Sequence, residues 1–512
     1  MTVTTVIKKN TYFDSVSLMS ISTKANGIEG VEQAFVAMAT EMNKAVLADL
    51  DLLSPTLSSA ATGDLMIVAV TADGLDADET LAQIEELLVR KAPVDGETTV
   101  TYRTLGAAVE ADADANLAVI AVNGAYAARE ARKALENDLH VLLFSDNVAV
   151  EDEIALKTLA HEKGLLMMGP DCGTAIINGT GLCFANAVRR GSIGIVAASG
   201  TGSQEVSVRI HALGGGVSQL IGTGGRDLSA EVGGVMMIDG LRALAADDDT
   251  KAIVLVSKPP APEVEERVLA EIAVAGKPVV VYFIGGSVQA VSAAGGHFAA
   301  SSQDAALQAV RLVVDADASV PALDNTAVAS ARTQLQPGQR NVRGLFCGGT
   351  LCDESMYALL STGEEVYSNI QKNPAFVLRA ADESRGHTFI DFGDDEFTNG
   401  RPHPMIDPSL RLERLLQEAA DPSVAVIVMD FVLGFGAHED PVGVTLPAIA
   451  EARERTAGRH LEVVGYVLGT DLDTPTLTAQ VAALEAAGVT VTRSSTETGE
   501  YVRAIIRKEA TA

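Results

Sequence analysis

The residues best suited to chemistry in this chain lie in glycine-rich turns. Ser199-Gly200-Thr201-Gly202 follows an apolar run, residues 193–198, and precedes a helical pattern over 204–212. A glycine turn that opens onto a helix gathers unpaired backbone N–H groups at the positive end of the helix dipole, which makes it an anion site. A second apolar run, 217–221, ends in Gly222-Thr223-Gly224-Gly225-Arg226-Asp227. In an open α/β sheet such turns gather at the carboxyl edge of the strands, where ligands bind. Two readings follow from the residues alone. One is a phosphate or carboxylate pocket with Ser199, Gly200, Thr201, Gly202, Gly224 and Gly225 as donors and Arg226 as the cation. The other is a pair of tight turns in which Ser or Thr caps a helix. Ser199 is not a nucleophile-elbow serine, because Ala198 precedes it and Thr201 follows Gly200, so G-x-S-x-G is absent.

A second constellation is Asp391, Asp394, Asp395, Thr398, Arg401 and His403, in FGDDEFTNGRPHPMID. Arg401 and His403 are suited to binding an anion and shuttling a proton. The aspartates either hold a cation or orient Arg401, and a solvated acidic loop with an Arg–Asp pair is the plainer alternative. Gly348-Gly349-Thr350 and Gly434-Phe435-Gly436-Ala437-His438 are further turns after apolar runs, as is Gly169–Thr174 with Asp171 and Cys172. His297 stands in AAGGHFAASS, either as a phosphoryl carrier or as an exposed loop residue.

Positioning these turns requires strands and helices in alternation. Residues 1–95 predict a small α/β unit: strands over 2–8, 31–38 and 65–71, with helices over 15–22 (capped by Asp14), 41–49 and 76–90. Residues 96–190 predict a Rossmann-like, CoA-binding-type domain with strands near 117–122, 141–144 and 165–168, but no G-x-G-x-x-G opens it. Residues 191–325 hold the first glycine turns, 316–340 read as a linker, and 341–508 copy the third region. In that copy RGLFCGGTLCDESM (343–356) lines up with SIGIVAASGTGSQE (192–205), and FIDFGDDE (389–396) with LIGTGGRD (220–227). A period of about 150–170 residues present twice is a domain duplication. Each copy is expected to be a flavodoxin-like parallel sheet, and packing about a pseudo-twofold axis would turn their glycine loops toward one cleft.

A chain of 512 residues exceeds one core. Its 47% hydrophobic and 21% charged content suits α/β layers rather than disorder. A net charge of −30 opposes nucleic acid or an anionic membrane as a general partner. No run reaches 18 apolar residues and no apolar leader core opens the chain, so a cytoplasmic protein without a membrane span is expected. The four cysteines form no C-x-x-C pair and no His cluster joins them, so no metal site is expected.

The motifs Gly169–Thr174 (GPDCGT), SIGIVAASGTGSQE, IGTGGRD and Lys258-Pro259-Pro260 resemble, in order and spacing, the α subunit of succinyl-CoA ligase. The last copy resembles the CoA-ligase domain of that enzyme's β subunit. Over nearly the full length, DSVSLMSIS (14–22), LFSDNV (143–148), GGRDLS (224–229), EVGG (231–234), VSKPPA (256–261), GRPHPMID (400–407) and GFGA (434–437) resemble the FdrA family. That resemblance implies the large subunit of an oxamate carbamoyltransferase. With two further subunits, such an enzyme converts oxalurate and phosphate to oxamate and carbamoyl phosphate during allantoin breakdown. The alternative it implies is an ADP-forming acyl-CoA synthetase subunit. The ligase's phosphohistidine loop, G-H-A-G-A, departs here to Gly296-His297-Phe298-Ala299-Ala300, and no nucleotide-grasp domain is evident. The expectation is therefore that no cofactor is required, with CoA an open possibility, and that the catalytic groups are Arg401, His403 and Arg226. Ser199–Gly202, Gly224, Gly225, Gly348, Gly349, Thr350, Asp394, Asp171 and Cys172 are expected to bind small anions.

Overall fold

In the computed structural model two units separate: residues 1–115, 121–127 and 398–402, and residues 116–120, 128–397 and 403–512. The structure describes all residues except 1, 10, 12, 14, 29, 51, 73–76, 90–100, 379–382, 399–401 and 507–512. The expected helix cap Asp14 lies outside the described residues.

The first unit comprises β1 (Thr2–Lys8), α1 (Ser15–Asn26), β2 (Val31–Met38), α2 (Glu41–Asp49), α3 (Pro55–Ser58), β3 (Leu65–Thr71), α4 (Ala77–Val89) and α5 (Leu105–Ala111). β3 lies between β1 and β2 and is antiparallel to both. All seven of its residues are buried, so its sequence shows no polar alternation. Leu65, Ile67 and Ala69 pack with Leu18, Ile21, Leu81 and Ile84, whereas Met66 and Val68 pack with Leu47 and Leu57. This is the period-2 division of a strand with apolar layers on both faces.

The second unit opens with β4 (Leu117–Ile120), α6 (Gly124–Glu136), β5 (His140–Leu143), α7 (Val150–Lys163) and β6 (Met167–Met168), whose strands pair in parallel in the order β4-β5-β6. A hairpin follows, β7 (Thr174–Ile177) and β8 (Thr180–Cys183). Its turn, Asn178-Gly179, has φ of 51° and 83°. Asn-Gly is the pair that adopts such angles most readily.

Next come β9 (Arg190–Ala197), α8 (Gly200–Ala212), β10 (Val217–Gly222), α9 (Val235–Ala246), β11 (Ala252–Ser257), α10 (Pro262–Ile272), β12 (Val279–Phe283), α11 (Val288–Ala293), β13 (His297–Phe298) and α12 (Ser302–Val313). The parallel strands lie in the order β10-β9-β11-β12-β13, and the hairpin extends the sheet at the β10 edge, antiparallel. α13 (Asn325–Gln334) stands in the stretch read as a linker. Asp324 caps it, and Val328 and Ala331 are buried.

The last copy holds β14 (Asn341–Phe346), α14 (Gly349–Leu360), β15 (Val366–Ser368), β16 (His387–Asp391), α15 (Asp395–Thr398), α16 (Ser409–Ala419), β17 (Val424–Val432), α17 (Leu446–Glu454), β18 (Glu462–Leu468), α18 (Leu477–Ala486), β19 (Thr490–Thr492) and α19 (Ser495–Ile506). Its strands are all parallel, ordered β16-β14-β17-β18-β19 with β15 outside β16. Counted along the chain with the extra edge strand β15 left out, both copies have strand order 2-1-3-4-5, the flavodoxin-like winding. The fold is α/β with several parallel sheets, as the sequence predicts.

Register corrects one detail. Ala197 pairs with Gly222, and Phe346 with Asp391, so these two residues are equivalent. Ser199 therefore corresponds to Gly348, and Glu205 to Glu354, two positions away from the glycine-guided alignment. With that register the contact between copies becomes reciprocal. Glu354, on α14, accepts from the N–H (2.9 Å) and hydroxyl (2.7 Å) of Ser302 at the start of α12 in the other copy. Glu205, on α8, accepts from the Ser495 N–H at the start of α19 (3.2 Å) and from the Tyr466 hydroxyl. Each copy thus caps a helix of the other.

Candidate anion site at two facing helix N-termini

α8 and α14 each begin just past the carboxyl end of a central parallel strand, where the chain must turn sharply. Ser199 caps α8, its Oγ accepting from the Gly202 N–H at 3.1 Å. Gly348 has no side chain to cap α14, and Asp430 of β17 instead accepts from the N–H groups of Cys347 (2.8 Å) and Gly348 (2.9 Å). The two helix starts meet. Ser199 Oγ and Thr350 Oγ1 share a hydrogen bond, and the Thr350 N–H donates to Thr201 Oγ1 at 3.4 Å. The shared cleft expected from the duplication thus takes the form of one junction. The first-turn N–H groups of both helices have no helical carbonyl to bind, and both dipoles present their positive ends there.

The junction has acidic and basic walls. Asp391, at the end of β16, is buried, and its Oδ1 accepts from the Gly393 N–H at 2.9 Å. Desolvation pushes its carboxyl up to about 7 against the pull of Lys258. A Cβ on Gly349 would collide with Asp391 Oδ2 and lie 3.5 Å from Lys258 Nζ. Lys258, just past β11, pairs only loosely with Asp353 (3.9 Å). Desolvation acts to lower its pKa, but Asp353, Asp391 and Asp394 outweigh it and keep the ammonium charged.

Asp391 gives the protein a pH signature. An unfolded carboxylate titrates near 4, so the folded state favours the protonated form between about pH 4 and 7. Stability contributed by this group is full below pH 4, falls as pH rises through that window, and stays lost above it. Asp391→Asn keeps the acceptor for Gly393 and removes the titration. It is expected to flatten the stability profile and to be more stable than wild type at pH 8, by up to about 4 kcal/mol. Urea denaturation at pH 5 and pH 8 measures this.

The turn 222–227 is held elsewhere. Arg226 Nη2 binds the Val148 carbonyl (2.8 Å) and Glu153 Oε2 (2.9 Å). Beneath it, buried Lys157 binds Glu153 (2.7 Å), Asp227 (2.8 Å) and the Thr223 carbonyl (2.9 Å). Arg226, expected as a catalytic cation, thus anchors its own turn to α7. Gly224, at φ 86°, packs so tightly that a Cβ would collide with the Pro170 carbonyl. That contact seats Gly225 4.0 Å (as a Cβ position) from Asp171 Oδ2. The Asp171 side chain is exposed yet set among protein walls. Desolvation and the carboxylates of Asp146 and Asp395 raise it to about 7. The Cys172 thiol faces the carbonyls of Gly222 (3.5 Å) and Thr174 (3.6 Å), and burial pushes it up to about 12, so it is no nucleophile.

His403 accepts from the Met405 N–H at 3.2 Å through Nδ1, with its ring 5.8 Å from Phe184. Desolvation depresses it to about 4. At neutral pH it is a neutral acceptor that shapes the 403–407 turn, in place of the proton shuttle the sequence suggests. Arg401 lies outside the described residues. Asp394 faces Lys258 electrostatically and caps the turn into α15 through the Glu396 N–H. His438 Nδ1 accepts from the Asp440 N–H. His297 is exposed on β13, the sheet edge, level with Val280. Three strand spacings separate β13 from β9, about 14 Å sideways. Among the described residues no three His, Cys, Asp or Glu side chains converge as a metal site.

Two contributors were not singled out as site residues from sequence. Lys258 carried a signal, as a charged residue directly after a buried parallel strand. Thr174, whose hydroxyl points toward Gly200, had none beyond its turn.

Three family models match the chain: "AllF, heavy metal-associated domain" over residues 1–103, "CoA binding domain" over 188–285 and "CoA-ligase" over 345–505. The CoA-binding match falls on the first flavodoxin-like copy; the sequence reading had set the CoA-binding-type domain at 96–190. Residues 1–103 contain neither Cys nor His, so thiolate and imidazole donors for a heavy metal are missing from them. The chain is 59% identical over 512 residues, 99% of both chains, to "Uncharacterized protein YahF" of Escherichia coli K12. It is 32% identical over 179 residues to succinate–CoA ligase [ADP-forming] subunit alpha 2 of Archaeoglobus fulgidus, covering 34% of this chain and 60% of that one. It is 27% identical over 217 residues to the corresponding alpha subunit of Methanothermobacter thermautotrophicus, covering 40% and 72%.

Proposed function

Since this chain belongs to the family of Escherichia coli YahF and carries CoA-binding and CoA-ligase domains in tandem, we propose that it catalyses phosphate-dependent acyl transfer of the CoA-ligase type. The observation that carries this reading is the meeting of the α8 and α14 N-termini through Ser199 and Thr350. A phosphate held there receives first-turn N–H groups from two helices, and its free oxygen attacks the carbonyl carbon of an acyl-CoA thioester. The C–S bond breaks, the thiolate leaves with a proton, and an acyl phosphate forms. The developing oxyanion is stabilised by the same N–H groups. The likeness to succinate–CoA ligase alpha subunits supports the thioester as donor.

A second reading draws on His297. A ligase that passes its phosphoryl group to a nucleotide through histidine needs that histidine at the phosphate, and His297 lies on the sheet edge. Carbamoyl transfer stops at the acyl phosphate. Phosphate attacks the carbamoyl carbon of oxalurate, the C–N bond breaks, oxamate leaves with a proton, and carbamoyl phosphate results. On either reading phosphate is the attacking substrate and the chain works with other subunits.

Hydroxylamine traps both products. The full chain, alone and with its co-expressed partner subunits, is incubated with phosphate and either succinyl-CoA or oxalurate. Phosphate-dependent hydroxamate from the thioester supports the first reading, and phosphate-dependent hydroxyurea from oxalurate alone the second. No phosphate-dependent product from either donor removes both.

A further inference from the structure

Thr174 and Lys258 lie on the two sides of the junction and belong to no assignment made so far. Thr174 is 2% exposed, and its Oγ1 has no hydrogen-bond partner among the described residues. A buried hydroxyl without a partner is costly and calls for an explanation. Its nearest relation to the junction is Gly200, the first residue of α8, whose Cβ position lies 3.9 Å from Thr174 Oγ1. Lys258 is the mirror case at α14. Its side chain is 44% exposed, and its Nζ lies 3.5 Å from the Cβ position of Gly349. No protein atom accepts a hydrogen bond from that ammonium among the described residues; its ion pair to Asp353 is 3.9 Å. The carboxylates of Asp353, Asp391 and Asp394 balance its charge from a distance, which leaves its three donors open to a ligand at the helix N-terminus. By contrast, the guanidinium of Arg226 is already bonded to Glu153 and Val148.

We propose that Thr174 and Lys258 are direct ligands of the phosphoryl group at the α8–α14 junction, the hydroxyl donating on the α8 side and the ammonium on the α14 side. This rests on the phosphate-site reading above and deepens it, since it assigns the site's charge balance to Lys258 rather than to Arg226. A ligand bearing two negative charges on one compact centre, such as inorganic phosphate or the phosphoryl end of an acyl phosphate, satisfies both groups together. A monoanionic carboxylate lacks the extra oxygen.

Equilibrium binding of inorganic phosphate to the full chain, read by titration calorimetry, tests this in three variants. Lys258→Met is expected to weaken binding by about 10- to 100-fold, and Lys258→Arg to restore most of it. Thr174→Val is expected to weaken binding about 3- to 20-fold while leaving thermal stability equal or higher, because it removes an unpartnered hydroxyl. A merely structural threonine would show the opposite pair of changes. Lys251→Met, at the far end of the same β11, serves as control and binds as wild type. Wild-type binding unchanged in both Lys258→Met and Thr174→Val would overturn the assignment while the phosphate-site reading stands. Absence of phosphate binding in the wild type would end both.

Discussion

Gly349→Ala is expected to lower kcat/KM for phosphate-dependent transfer by about 100-fold or more while the fold persists. The added Cβ collides with Asp391 Oδ2. β16 holds the backbone of Asp391 and the Gly393 N–H holds its Oδ1, so a swing of the carboxyl breaks that bond. With the bond kept, the helix start moves instead, and the same shift carries Thr350 away from Ser199. Displacement of positioning groups by about 1 Å costs on the order of 100-fold in rate. Alanine favours a helix over glycine by about 1 kcal/mol, which offsets part of the strain, so the melting temperature is expected to change by only a few degrees. Turnover in the hydroxamate assay beside a thermal melt separates the two effects. Wild-type kcat/KM in a folded Gly349→Ala protein would remove α14 from the phosphate site.

The second large effect is on stability. Glu354→Ala is expected to cost about 3–5 kcal/mol, read by urea denaturation. Glu354 is buried and accepts from the Ser302 N–H and hydroxyl, from Thr496 Oγ1 at 2.9 Å, and from the Ser495 hydroxyl. Truncation leaves these donors without a partner where water is scarce. Ser495 and Thr496 belong to Glu354's own copy, whereas Ser302 opens α12 of the other, so the Ser302 share of the loss falls on the contact between the copies. The variant is therefore expected to unfold with a lower m-value or in two steps, one copy before the other. Glu205→Ala should act alike through Tyr466 and Ser495. The exposed Glu364→Ala should stay within about 0.5 kcal/mol of wild type. A single unshifted transition in Glu354→Ala would show that the reciprocal caps do not couple the copies.

Much of this architecture was legible because buried parallel strands read as apolar runs. β9, β11, β17 and β18 are such runs, and glycines mark the turns after β9, β17 and β18, as Lys258-Pro259-Pro260 does after β11. The hairpin β7–β8 carried an Asn-Gly signal in IINGTG that periodicity alone passes over, since its strands have only four residues each. α13 was read as linker because only Val328 and Ala331 bury a face. The two-residue shift between copies arose from aligning glycines, when strand register fixes equivalence. Polar residues on α8 were the least legible feature. Ser203, Gln204, Glu205 and Ser207 look like a solvent face, yet all are buried. Glu205 meets Tyr466 and Ser495 of the other copy, and Gln204 the Phe184 carbonyl and Asn186, tertiary contacts that no local pattern carries. Lys258 and Thr174 were overlooked for the same reason, since strands distant in sequence bring them to the junction.

The most direct test of the central claim is a crystal structure of the full chain with inorganic phosphate bound. The account predicts a phosphate within about 3 Å of first-turn N–H groups from both α8 and α14, beside the Ser199–Thr350 contact. Phosphate bound at His297 alone, or held by one helix with the other turned away, would contradict it.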